Sequence, residues 1–427
     1  MARERGTSLE TRARMQRILP AVLLAACTGG TDIPEVKSDV KRDLAPDVTP
    51  SDYQSLVAGN TAFAADLYRQ ASVKQGNLFM SPHSISTALA MTYAGANSST
   101  EAQIAQALHF TLPELQLHAA FDKLDLDLAS RADDATGETI PFRLTTANAM
   151  FGQQGWTFMT PFLDTLARNY GAGMRILDFE HAAEASRVTI NDWVEDKTND
   201  RIKNLLPEGS IASSTRLVLT NAIYFSAAWA TPFDSSQTAD RPFHLASGET
   251  ISVSTLHQAE ENGYGEGDGY RAAELGYDGG KLSMVVVVPD DLAAFEASLD
   301  AAKLTAITSS ISHHLLDITL PKFQFDAPLG LKDVLMNLGM TEAFEDGAAD
   351  FSGIDGTRRL VISDVLHKGF VSLDEKGTEA AAATAVVFGE TSVPQPATLV
   401  VDKPFFFLIR DRPTGAILFV GRVVDPR

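Results

Sequence analysis

Cysteine is nearly absent from this chain: Cys27 is the only one in 427 residues. That excludes an intramolecular disulfide and any cysteine-based zinc site. Positive charge is also scarce, with 35 Lys plus Arg against 55 Asp plus Glu and a formal net charge of −20. Such a balance argues against nucleic acid as a partner, which needs a concentrated basic face, and against electrostatic adsorption to anionic lipid. No apolar run reaches the roughly 18 residues a spanning helix requires. The chain has neither a G-x-S-x-G elbow nor an H-E-x-x-H pair, and its nine His are scattered. It therefore reads as a protein that is not an enzyme, with no cofactor and no metal site. Gly263 to Gly269 is glycine-rich but lacks the Lys and Ser/Thr of a phosphate loop, so it reads as a surface turn. What is present is ordinary globular composition, 44% apolar and 21% charged, on a chain long enough to bury a large core without staples.

The first fifty residues stand apart. Arg3, Arg5, Arg12, Arg14 and Arg17 precede a short apolar run, Ile18 to Ala26, interrupted by Pro20. A basic start, a short apolar stretch and then small residues are the layout of an export signal. The run ends Leu24-Ala25-Ala26-Cys27, which resembles the lipobox of bacterial lipoproteins, where cleavage precedes a cysteine that is then lipidated. A plain secretory signal is the alternative, and Met15 is an alternative start to Met1. Residues 1–26 are thus expected to be a lipoprotein signal peptide, with Cys27 as the lipid attachment point to a membrane facing the periplasm or the cell exterior. Residues 27–52, rich in Thr, Gly, Asp, Pro and Ser, are expected to be a flexible, solvated tether. Removing residues 1–26 takes away five Arg and two Glu, leaving 30 basic against 53 acidic residues, or −23.

From Tyr53 onward helices and strands alternate without a repeat or a linker, so residues 53–427 read as one domain. Leu56, Phe63, Ala64 and Leu67 recur at helical spacing over 53–71. Ser81-Pro82 opens a helix with an apolar body, and Ser98 with Glu101 is a capping-box signal for the next. Residues 143–151, 215–227, 315–325, 361–376, 405–410 and 416–423 read as strands, and Leu282 to Val288 as a central one. Helices are expected over 184–199, with Val188, Trp193 and Val194 on the apolar face, over 291–309 and over 330–338. The mixture, without regular βα units, predicts an α+β fold with mainly antiparallel sheets.

One stretch does not fit. Between a strand ending at Lys376 and another starting near Leu399 lie more than twenty residues beginning Gly377-Thr-Glu-Ala-Ala-Ala-Ala-Thr-Ala-Val-Val-Phe388. A connection this long inside a compact domain is functional or disordered. Its first half is apolar, unlike a solvated loop, and an Ala-rich helix there would lack a polar face. The alternative is a segment exposed at first and buried later. As a strand, one face would carry Thr378, Ala380, Ala382, Thr384 and Val386, all small or β-branched and none charged. The other would carry Glu379, Ala381, Ala383 and Ala385, which can face solvent.

At this point the sequence resembles the serpins, the serine protease inhibitor family. Glu375-Lys-Gly-Thr-Glu-Ala-Ala-Ala-Ala-Thr-Ala385 matches the hinge of inhibitory members. Asn77-Leu-Phe-Met-Ser-Pro-His-Ser-Ile85, Thr189-Ile-Asn-Asp-Trp-Val194, Leu219-Thr-Asn-Ala-Ile-Tyr-Phe225, Leu320-Pro-Lys-Phe323 and Leu399-Val-Val-Asp-Lys-Pro-Phe-Phe-Phe-Leu408 match further family motifs, in family order. The resemblance implies the serpin fold, with three mainly antiparallel β-sheets, about eight or nine helices and an exposed reactive-centre loop at 377–397. It implies a partner too, a target serine protease that attacks the loop, is acylated and is trapped when the cleaved loop inserts into the main sheet.

Residue by residue, the hinge is Gly377, Thr378, Glu379, Ala380, Ala381, Ala382, Ala383 and Thr384. The family register places the reactive bond at Thr391–Ser392, with Glu390–Thr391 as the alternative. Thr391 suits an elastase-like or subtilisin-like target; a shift to Glu390 would favour a glutamyl-specific one. Glu375 and Lys322 match the charged pair at the top of the sheet where insertion starts, the breach, and Trp229 the aromatic beside it. Asn221 and His367, with Ser81 in the same region, match the buried polar pair under the sheet's centre, the shutter. Leu115 to Asp134, which corresponds to the basic helix of polysaccharide-binding members, carries only Lys123 and Arg131 as cations among acidic residues, so heparin activation is not expected. The chain is expected to be a monomer. A serpin that does not inhibit, acting as a carrier, chaperone or structural protein, is the rival reading.

Overall fold

The run around Leu219-Thr-Asn-Ala-Ile-Tyr-Phe225 is the spine of the molecule. In the computed structural model, which describes residues 33–135, 142–378 and 396–427, it lies in the strand Leu217–Ala228, buried along almost its whole length. Its apolar and β-branched residues are covered on both faces, so they need not alternate with polar ones. The first sheet runs Glu35–Val36, Met174–Leu177, Ala149–Gln153, Leu217–Ala228, Gly377–Thr378, Val365–Asp374, Phe323–Gly330, and Arg143–Thr146 pairs with the upper part of the spine. Below the two-residue strand Gly377–Thr378, Leu217–Ala228 and Val365–Asp374 pair directly and in parallel, from Val365↔Leu219 to Gly369↔Ile223.

A second, nine-stranded ladder runs Ala397–Val400, Ser312–Pro321, Thr250–Gly267, Tyr270–Gly276, Leu282–Pro289, Phe405–Asp411, Ile417–Val423, Leu78–Met80, with Ala239–His244 on the side. The long strand Thr250–Gly267 pairs with Ala239–His244 along its first part and with Tyr270–Gly276 along its last. Two of the three expected sheets are therefore joined through one strand. Among the described residues eleven α-helical segments surround them, several of a single turn. Between the sheets lies an aromatic layer: Phe79 stacks on Phe419 at 5.0 Å, and Phe225 meets Tyr277 edge-on at 5.0 Å. A separate cluster lies on the outer face of the first sheet, where Phe151, Ala222 and Tyr224 pack with Ile190, Trp193 and Val194 of the helix Phe179–Lys197.

Several sequence expectations shift in detail. The region 143–151 is two strands, Arg143–Thr146 and Ala149–Gln153, and 291–309 is two helices, Leu292–Ala297 and Ala301–Ser310, each started by its own Asp cap. The strand expected over 361–376 is Val365–Asp374. Val188 is 41% exposed and not part of the apolar face of its helix. The first helix begins at Pro50, with the Thr49 side chain accepting from the Asp52 N–H.

The larger correction concerns the tether. Residues 33–49 are not a solvated linker but are docked along the edge of the first sheet. Glu35–Val36 pairs antiparallel with Met174–Leu177, and Ile33 is buried beside the Phe151–Trp193 cluster. Arg42 donates through Nε to Asp122 at 2.9 Å and through Nη2 to Asp125 at 2.5 Å. Ser38 bonds Asp164, and the Asp43 N–H reaches the Arg168 carbonyl at 2.9 Å. Gly173 makes this approach possible, since a Cβ there would meet the Val36 carbonyl at 2.6 Å. Polar composition hid the docking because the contacts are a strand edge and charged side chains rather than an apolar face.

Candidate functional site: the top and centre of the first sheet

At the top of the spine, Lys322 donates to Glu375 at 2.8 Å, and Thr238 adds a hydrogen bond to the same carboxylate at 2.9 Å. Burial works to raise the Glu375 carboxyl, but hydrogen bonds from Lys322, its own N–H and Thr238, with the lysine's charge, hold it below the usual range. The Trp229 indole N–H donates to the Asp374 carbonyl at 3.0 Å. Its ring stacks on Tyr277, with centroids 4.7 Å apart. Further backbone bonds, from the Trp229 N–H to the Lys376 carbonyl and from the Phe233 N–H to the Glu375 carbonyl, pin the turn leading into the hinge.

The first two hinge residues are already inside the sheet, which corrects the expectation of a loop exposed from residue 377. Gly377 lies opposite Ala228 on one side and Asp374 on the other, Thr378 opposite Ala227 and Leu373. A Cβ on Gly377 would collide with the Ala227 carbonyl, so only glycine fits there. Thr378 is 2% exposed, and its hydroxyl lies 2.8 Å from that of Tyr277. Glu379 through Thr384, and the alternatives Glu390, Thr391 and Ser392 around the reactive bond, lie outside the described residues, as does Cys27.

Under the centre, Asn221 and His367 face each other in register and are joined by a hydrogen bond of 2.5 Å. The Ser81 N–H donates to His367 Nε2 at 3.2 Å. Nδ1 therefore carries the ring proton and donates to Asn221 Oδ1, which makes the histidine neutral. Complete burial pushes its pKa down to about 3. Ser81 Oγ donates to the Leu418 carbonyl at 2.6 Å and so ties the helix start to the second ladder. The Asn221 amide donates to Ser84 Oγ and to Asn148 Oδ1, both at 2.9 Å.

The structure thus brings Glu375, Lys322, Trp229, Gly377 and Thr378 together at the top, and Asn221, His367 and Ser81 together some six residues lower on the spine. Tyr277, Thr238, Ser84 and Asn148 belong to these groups but were missed. The pattern Ser81-x-x-Ser84, a serine three residues after a cap, offered a signal for Ser84. Tyr277, Thr238 and Asn148 had none, because only the sheet topology brings them near.

Comparison with known proteins agrees with this geometry. The family model described as "Serpin (serine protease inhibitor)" matches residues 58–426. An uncharacterised serpin-like protein of Thermococcus kodakarensis is 37% identical over 401 residues, covering 92% of this chain and 90% of the relative. The human leukocyte elastase inhibitor is 36% identical over 386 residues, covering 87% of this chain and all of the relative. The crystal structure of tengpin, a thermophilic serpin, in its native state superposes with a TM-score of 0.81 at 26% identity, covering 92% of this chain and 99% of that one. The fold, the matched motifs and these relatives together place the chain in the serpin family.

Proposed function

We propose that this serpin inhibits serine-type endopeptidases by the suicide-substrate route, with an elastase-like or subtilisin-like protease as target. The observation that carries the reading is the phase of the sheet. Thr378 lies opposite Ala227 and Leu373. Counted on from there, Ala382 would fall between Ile223 and Gly369, Thr384 between Asn221 and His367, and Val386 between Leu219 and Val365. Those are the same pairs that now bond each other directly. The strand that starts at the hinge and the gap it would enter are already in step. The inward face would carry only Thr and Ala down to the shutter. On the outer face, Ala381 and Ala383 would come level with Tyr224 and Ala222, which lie under the helix Phe179–Lys197. Small residues there suit a covered surface rather than the solvated one their composition suggested.

The reaction needs no catalytic group from the inhibitor. The protease serine attacks the carbonyl carbon of Thr391, the Thr391–Ser392 bond breaks, and the new amino terminus at Ser392 leaves. The acyl-enzyme is trapped if insertion outruns hydrolysis. Roughly ten residues, Glu379 to Phe388, would newly join the ladder, and at about 1 kcal/mol net each they would supply on the order of 10 kcal/mol. Incubation with an elastase-like or subtilisin-like protease is expected to give a covalent complex that survives hot detergent, and a released fragment beginning at Ser392. Clean loop cleavage by every protease tried, with no complex, overturns the inhibitory reading and leaves the non-inhibitory rival.

The likeness of Leu24-Ala25-Ala26-Cys27 to a lipobox supports a lipid anchor at Cys27 after removal of residues 1–26. The mass of the N-terminal peptide from the native host tests it: a diacylated Cys27 is expected, and a chain starting elsewhere with a free thiol refutes it.

A further inference from the structure

The docked N-terminal segment fixes which end of the molecule an anchor would pull on. Four neighbouring strands give the direction. Thr378, at the hinge, is level with Ala227 on the spine. Ala149–Gln153 runs down from Thr220 to Leu217, and Met174–Leu177 runs parallel to it, so that Leu177 is level with Gln153. Glu35–Val36 runs upward, with Glu35 opposite Arg175, Val36 opposite Met174 and the Pro34 carbonyl bonded to the Ile176 N–H. Ile33 therefore sits level with the bottom of the spine, some ten residues or about 33 Å below the hinge. Ile33, the first described residue, thus lies at the pole opposite the hinge.

We propose that this segment is a mooring: it turns the base of the first sheet toward the lipid and the reactive loop away from it, so that the inhibitor meets proteases arriving from solution rather than proteases seated in its own membrane. The proposal rests on the lipid anchor at Cys27. From Cys27 to Ile33 there are only six residue steps, at most about 20 Å of chain. That is much less than the height of the first sheet, so the body cannot turn over while the segment stays docked. The contacts that hold it are a strand pair, the buried Ile33, and Arg42 between Asp122, whose side chain is fully buried, and Asp125. Were it released, residues 27–49 would reach on the order of 75 Å and no orientation would be enforced.

The same geometry bears on the product. Continued in the hinge register, Thr391 would come level with Ser214, beyond the bottom of the spine. A protease carried on Thr391 would thus arrive at the pole from which the mooring leaves.

The single cysteine allows a test that does not depend on natural lipidation. The chain Cys27–Arg427 is coupled through the Cys27 thiol to a maleimide-headgroup lipid in phosphatidylcholine vesicles that also carry a headgroup energy acceptor. Trp193, on the Phe179–Lys197 helix beside Arg175 and Phe151, marks the base, and Trp229 marks the top. With two of the three tryptophans changed to Phe, the chain retaining Trp193 is expected to transfer energy to the lipid several-fold more efficiently than the one retaining Trp229. Gly173→Val, which places a side chain where the segment passes, is expected to abolish that difference. Equal transfer from both positions in the unsubstituted background overturns the proposal. If a tryptophan variant does not fold, total transfer from all three tryptophans is compared with and without Gly173→Val; no decrease on substitution overturns the proposal equally. A free thiol at Cys27 in the native host, by contrast, would refute the anchor and leave the orientation result standing.

Discussion

If this serpin inhibits as proposed, placing a charge on the inward face of the hinge should convert it into a substrate, and Ala382→Arg is the sharpest way to do it. Thr378→Arg is less informative, because Thr378 is already buried against Tyr277 and the substitution would disturb the uncleaved protein. Position 382 would enter only on insertion. It would lie between Ile223, fully buried, and Gly369, where even a Cβ would meet the Phe79 ring at 2.7 Å. The rings of that layer, Phe79, Phe419, Phe225 and Tyr277, carry no carboxylate to pair a guanidinium, so the group must be desolvated or the strand must stop above it. An unpaired buried charge costs several kcal/mol after relaxation. If about 3 kcal/mol of that cost is felt at the barrier to insertion, insertion slows by on the order of 100-fold while deacylation is untouched. The assay is the fraction of protease migrating as covalent complex in hot detergent, against the fraction of inhibitor cleaved, at increasing inhibitor-to-protease ratio. The complex is expected to disappear while cleavage proceeds at its normal rate. Glu379→Arg is the control: the same charge three residues earlier, on the opposite face, which already carries a carboxylate, should leave complex formation intact. If Ala382→Arg inhibits as well as the unsubstituted protein, the inserted-strand reasoning is wrong.

Three further outcomes follow from the breach and the shutter. Lys322→Met removes the donor to Glu375, a pair partly open to solvent, and should lower stability by about 1 kcal/mol. Because the Glu375 carboxyl is held below its usual range, its contribution is present above that range and lost as pH falls through the folded value. The difference between Lys322→Met and the unsubstituted chain should therefore shrink on acidification below about pH 4, as read by denaturant unfolding. Burial lowers His367 to about 3 and His83 to about 4, so both stay neutral in the fold while the unfolded chain takes up protons below about pH 6.5; stability should fall with acid from there, and His367→Gln should make that slope shallower by about 1.4 kcal/mol per pH unit. Asn221→Leu leaves the His367 Nδ1 proton without an acceptor and should cost about 1–3 kcal/mol, measured as a lower midpoint of thermal unfolding.

The sequence announces the shape of this fold more readily than its joints. Leu282 to Val288 and Leu219 to Phe225 declare themselves as buried strands through uninterrupted apolar and β-branched residues. The hinge stands out because a long, uncharged stretch has no place in an ordinary connection. Family motifs then pointed to Glu375, Lys322, Asn221 and His367, and the structure brings each pair within hydrogen-bonding distance. What could not be read depends on contacts between segments far apart in the chain. Nothing near residue 42 says that its guanidinium will find Asp122 eighty residues away. A polar stretch reads as linker whether or not a sheet edge awaits it. Thr378 looks like part of an exposed loop until the Tyr277 hydroxyl is seen beside it.

The hinge register has a consequence for how this serpin can change. Because the pleat repeats every two residues, a single-residue insertion or deletion between Thr378 and Phe388 would swap the two faces of the entering strand, turning Glu379 and its neighbours inward. Phe388 would fall level with Leu217, the last residue of the spine, and everything after it would lie past the end of the ladder. The proposed reactive bond at 391–392 is in that second part. The chain therefore separates two kinds of information on one loop. On the proposed mechanism the upper part would be read by the sheet and would tolerate no shift of frame; the lower part would be read only by the protease, its length and side chains free to follow whatever enzyme is to be caught.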